Sequence, residues 1–157
     1  MEAQIVEEAV QGDPEALGFL RAMARVLHFF DDCMDRDKPI SDAAIEESLW
    51  LSLVTLPRNA FYRKHFESLN PILVTAIVNW RIANDLERQR KPTKNDLTIA
   101  FIIRSTYVDL VTMSATIIAG ADWAVAHGPA IRRWAHKETL IGYIDNLAAE
   151  TRAREGA

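Results

Sequence analysis

The chain has 157 residues, 49% of them hydrophobic, and a formal net charge of −4. That size suits a single domain with a proper core, and the acidity argues against nucleic acid as the main partner. The single cysteine, Cys33, excludes an internal disulfide framework and a cysteine-based zinc cluster within one chain, which fits a reducing cytoplasm.

Apolar residues recur at helical spacing almost throughout, without sustained two-residue alternation, and this predicts an all-α fold. The expected architecture is a single-domain antiparallel bundle of about six to eight helices over residues 1–153, with a disordered tail at 154–157. The N-terminal MEAQIVEEAVQ is acidic and lacks the basic start and apolar run of a secretory signal; a short helix is expected over 2–11. Gly12-Asp13-Pro14 places a capping residue before a proline, which starts a long helix over 14–35. A helix over 42–56 ends before Pro57, and a helical turn follows over 59–67. Asn70-Pro71 reads as the start of a helix over 71–89. Thr93 and Asp96 have the spacing of a capping box and Gly120 is a natural stop, so 94–119 is expected to be the longest helix. Arg104 and Asp109 near its middle favour a buried central helix over a membrane span. A pair over 122–136 and 138–153 closes the bundle, with Trp123 and Trp134 as anchors.

Charge is unevenly spread. Residues 1–50 carry 12 acidic and 4 basic side chains, whereas 51–137 carry 6 and 12. Such separation helps two parts of a chain, or two copies of it, to associate.

Four groups of residues are candidates for chemistry. HFFDDCMDRD at 28–37 sets Asp31, Asp32 and Asp35 at a spacing that suits magnesium, a hard cation taking carboxylate ligands and neutralising phosphate. At about 100° per residue, however, Arg21, Arg25, Asp31, Asp32 and Asp35 fall within roughly 60° of His28. Phe29, Phe30, Cys33 and Met34 lie on the apolar side, so the aspartates are expected on a solvated face. The connector around Arg58, Arg63, Lys64 and His65 mixes cations with aromatics and suits an anion or an acidic partner, or else a wet linker. Thr75 and Asn79 on one helix, with Arg104, Ser105 and Asp109 on the next, suggest a polar seam in the bundle. Asp109 is expected to be its buried acid, and its hydroxyls bond locally or across helices. His28, His65, His127 and His136 form no i,i+4 ligand pair, which disfavours zinc and di-iron sites.

The DDxxD segment resembles the aspartate-rich motif of isoprenoid synthases, in which such aspartates line a cavity and hold magnesium for a diphosphate. A second element of terpene cyclases begins correctly at Asn84-Asp85 but stops at Arg88, where a hydroxyl belongs. The structural reading of Asn84, Asp85 and Arg88 is the exposed end of a helix. All-α nucleotide pyrophosphohydrolases use Glu-x-x-Glu pairs, which the central helices lack. Over the whole chain, the FFDD, LPRNAFYRKHF and LNPILVTAIVNW segments resemble small all-helical proteins of tailed phages and prophages, implying a cytoplasmic, phage-associated setting. The expected function is a self-associating binding or accessory protein without catalysis, with a homo-oligomer or protein partner and neither membrane nor nucleic acid. The alternative is a magnesium-dependent diphosphate-binding or hydrolysing protein using Asp31, Asp32 and Asp35, with Arg63 or Arg104 on the phosphate.

Overall fold

The structure, a computed structural model, describes residues 2–35 and 39–155. Over these residues the chain is all-α: α1 (Glu2–Ala9), α2 (Pro14–Asp35), α3 (Asp42–Trp50), a π-helical turn (Leu51–Thr55), α4 (Leu56–Arg58), α5 (Ala60–Lys64), α6 (Phe66–Glu87), α7 (Lys94–Ile103), α8 (Tyr107–Ala119), α9 (Ala121–Ala135) and α10 (Leu140–Glu155). Eight of these helices have eight residues or more, as expected for the bundle. The last continues to Glu155, past the expected boundary at 153; Gly156 and Ala157 lie outside the described residues.

Local chemistry explains most boundaries. The Ala16 amide donates to Asp13 Oδ1 at 2.8 Å, capping α2 with Pro14 in its first position. Thr93 and Asp96 close a reciprocal capping box at the start of α7. Gly120 ends α8 at φ 89° and ψ 163°, a conformation open essentially to glycine alone, and α9 starts directly after it.

Three boundaries differ from the sequence expectation. Asn70-Pro71 does not start a helix: α6 begins at Phe66 and Pro71 lies in its second turn. A proline at this position removes one hydrogen bond, the one its amide would make to the Glu67 carbonyl, and the helix runs on through it. The helix before Pro57 does not end there either. It widens into the π turn, in which the Leu56 amide donates to Leu51 O, and continues through Pro57 to Arg58. Widening gives room for a pyrrolidine ring that would collide with the carbonyl four residues earlier. The expected rod over 94–119 is broken at Arg104–Thr106, with α7 and α8 bent by 41°. Among the described residues no single helix is long and apolar enough to cross a membrane, although the bent pair reaches that length and hydropathy when taken together.

The core is built mainly where α1, α2, α8 and α9 meet. Val10 just after α1, Phe19 and Leu20 of α2, Leu110 and Val111 of α8 and Ile131 of α9 are all but completely buried. Phe19 stacks on Tyr62 at 5.1 Å between ring centroids and meets Phe61 at 6.0 Å, which fixes α5 against the first half of α2. Glu15 completes this joint, its side chain accepting from Asn59 Nδ2 and from the Ala60 amide. The second half of α2, the π turn and α6 diverge from this core and leave apolar side chains partly open.

Candidate site: an apolar groove beside a buried ion-pair network

The divergence of these helices opens a groove of about 1150 Å³. Its apolar lining includes Met23, Val26 and Leu27 of α2, Leu73 and Ala76 of α6, and Val108 of α8. Phe30 and Met34 also face it and are 52% and 38% exposed. This corrects the expectation that they build the core: the apolar arc of α2 is continuous, but only its first half meets a packed partner. The titratable side chains on the lining are His28, Asp31, Arg63, Arg104, Lys137 and the two tyrosines Tyr62 and Tyr107. Burial pushes the Tyr107 hydroxyl up to about 12, opposed by the Arg21 charge, and its proton is donated to Leu20 O at 3.1 Å.

Asp31 is the point at which the groove meets a polar network. Its carboxylate accepts from Trp80 Nε1 at 3.3 Å and from Arg104 Nη2 at 3.0 Å. Arg104 Nη1 donates to both Glu87 oxygens at 2.8 and 2.7 Å and to Asn84 Oδ1 at 3.1 Å. Tyr143 of α10 donates its hydroxyl proton to Glu87 Oε1. Burial, with the Glu87 carboxylate beside it, raises the Tyr143 pKa well above that of a free phenol. The side chains of Arg104 and Glu87 are 19% and 5% exposed, so this pair is largely out of water. Charges so placed persist only when paired and hydrogen-bonded. Beside the same helix break, Ser105 Oγ lies 3.2 Å from His136 Nδ1.

The solvated-face expectation holds only in part for Asp31, which is 45% exposed yet bonded across the groove. A single-helix projection knows only one core, whereas Trp80 and Arg104 supply a second wall opposite α2. Asp32 lies on the same helix with His28 at 3.8 Å, and the Asp35 side chain falls outside the described residues. Among the described residues no three His, Cys, Asp or Glu side chains are grouped to hold a cation, and Asp31 is held by a guanidinium. Arg104, expected to serve a phosphate, is likewise bound to two carboxylates.

The polar seam is divided rather than continuous. Thr75, Asn79 and Asp109 line a separate cleft of about 270 Å³ between α6 and α8, away from the Arg104 network. Asp109 is not the buried acid. Its side chain is half exposed and paired with Arg132 at 2.6 Å. The hydroxyls of Thr75, Thr98, Thr112 and Thr116 each donate to the carbonyl four residues earlier, the local bonding expected for such a stripe. Of the connector cations Arg58, Arg63, Lys64 and His65, only Arg63 lines the groove; the His65 ring packs on Phe61 at 4.9 Å.

The expected exposed helix end at Asn84 is also corrected. Asn84 is buried and Glu87 nearly so, while Asp85 and Arg88 are exposed. Asn84 and Glu87 are three apart and share a face of α6, a spacing that the sequence does display. Nothing in it marks Trp80 or Tyr143 as their neighbours. Among the described residues two buried polar atoms lack partners, Ser114 Oγ in α8 and Trp134 Nε1 beside the groove. Comparison with protein-family models, curated proteins and solved structures finds no match for this chain.

Proposed function

We propose that this chain is a non-catalytic helical binding protein that associates with itself through the outer face of α6. The observation that carries this reading is the stripe Val74, Ile77, Val78 and Ile82, each at least 44% exposed, with Ile77 also on the rim of the groove. These positions fall within an arc of about 140° on one helix. Ile99 and Ile102 of α7, which packs along α6, extend the apolar surface. Contiguous apolar patches beyond a few hundred Å² are rare on monomers and mark interaction surfaces. The acidic first third and basic middle of the chain add a complementary charge term to an association driven by burial.

The setting proposed with it, a cytoplasmic and phage-associated one, rests on the resemblance of three segments to small phage and prophage proteins. The commitment of Arg104 and Asp31 to each other supports binding over diphosphate chemistry. Light scattering coupled to size exclusion tests the proposal. An oligomer that persists at high salt and dissociates in Val78→Lys is expected, whereas a monomer at every concentration and salt level would refute self-association.

A further inference from the structure

We infer that the groove between α2, the π turn and α6 is a binding site for a single-chain anionic amphiphile, an acyl chain ending in a carboxylate. Three observations lead there. First, the lining is predominantly apolar and continuous over the run from Met23 to Asp31, about 12 Å along α2 at the helical rise. That is the shape of a slot for an extended chain, not for a compact polar metabolite. Its volume of about 1150 Å³ suits a ligand of lipid size.

Second, the charge on the lining is unbalanced. Arg63 and Arg104 face one carboxylate, Asp31. Arg104 is already shared between Asp31 and the buried Glu87, so the Asp31 end is saturated.

Third, Arg63 makes no ion pair among the described residues. It stands on α5 at the Phe19 end of the groove, next to Tyr62, whose hydroxyl donates to Asn70 Oδ1 at 3.4 Å. A carboxylate placed there receives the Arg63 guanidinium, while its chain runs toward Phe30 and Met34. A cationic head would gain no partner at that end, and a neutral chain would gain nothing from the exposed Arg63 guanidinium.

The test uses the full chain and calorimetric titration with dodecanoate below its micelle concentration, with decanoate and dodecyltrimethylammonium alongside. One carboxylate per chain is expected to bind, with each added methylene tightening the affinity about fourfold. Arg63→Gln is expected to weaken dodecanoate roughly tenfold while leaving the trimethylammonium response unchanged. Ala24→Trp, which fills the lining from α2, is expected to abolish binding with the circular dichroism spectrum retained; Ser52→Phe from the π turn serves the same end should that variant misfold. Equal binding of the cationic and anionic amphiphiles, full affinity in Arg63→Gln, or binding to anionic vesicles but not to monomeric dodecanoate would each overturn the assignment. So would dodecanoate binding confined to the monomer, because the groove would then be filled by a second copy. Monomeric behaviour with intact dodecanoate binding would instead refute only the self-association of α6.

Discussion

Replacing Arg104 with Met tests whether the network is a buried interaction or a surface ornament. The Glu87 side chain is only 5% exposed and receives two of its hydrogen bonds from Arg104, leaving Tyr143 as its remaining hydrogen-bond donor in the network. Removing one partner of a buried pair leaves an uncompensated charge and costs about 3–5 kcal/mol. For a chain of this size each kcal/mol moves the midpoint by about 2–4 °C, so a fall of roughly 6–20 °C is expected. Asp31→Asn supplies the contrast: that carboxylate is 45% exposed, and losing its bond to Arg104 should cost about 1 kcal/mol or less. Urea unfolding followed by circular dichroism measures both, and the double variant Arg104→Met with Glu87→Leu should recover much of the loss because no charge is then stranded. A loss below about 1 kcal/mol for Arg104→Met, equal to that of Asp31→Asn, would refute the argument.

Two further perturbations have defined signs. Tyr107 titrates near 12 in the folded chain against 10.0 unfolded, so its contribution is whole below pH 10 and is lost as pH rises from 10 to 12, by up to about 2–3 kcal/mol. Tyr107→Phe should flatten the alkaline fall in stability, measured as urea midpoint against pH; an unchanged slope would contradict burial of that hydroxyl. Ser114→Ala removes a buried hydroxyl without a partner and should be neutral or stabilising by about 1 kcal/mol in thermal unfolding, whereas a clear loss would mean that the hydroxyl is bonded.

Capping chemistry made several elements legible from sequence alone. Asp13-Pro14 and the Thr93–Asp96 box depend on residues within one turn of each other, and both boundaries stand where the residues put them. The break at Arg104 left no such local trace. It depends on Asp31, Asn84 and Glu87 converging from two other helices. Proline punctuation misled for a related reason: a ring at Pro71 is acceptable in the second turn of a helix whose start is held by His65 and Phe66. At the site, the spacing of Asp31 and Asp32 drew attention to the right stretch of α2, but the projection assumed one core and so missed the Trp80 and Arg104 wall that the half-exposed Asp31 also meets. Which face of a helix is buried is decided by how many neighbours it has, and a hydrophobic period cannot count them.

The attachment of α10 has a consequence for the whole network. This helix packs mainly on α7, with Tyr143 against Phe101 at 5.2 Å and its hydroxyl on Glu87. Few buried apolar contacts hold it, so its amides belong to a unit that opens at a lower free energy than the Phe19 core and exchange their hydrogens first. Each opening withdraws a donor from Glu87 and leaves Arg104 alone to neutralise it. Fraying at the C-terminus is thereby linked to the grip of Arg104 on Asp31, and the linkage runs equally in reverse.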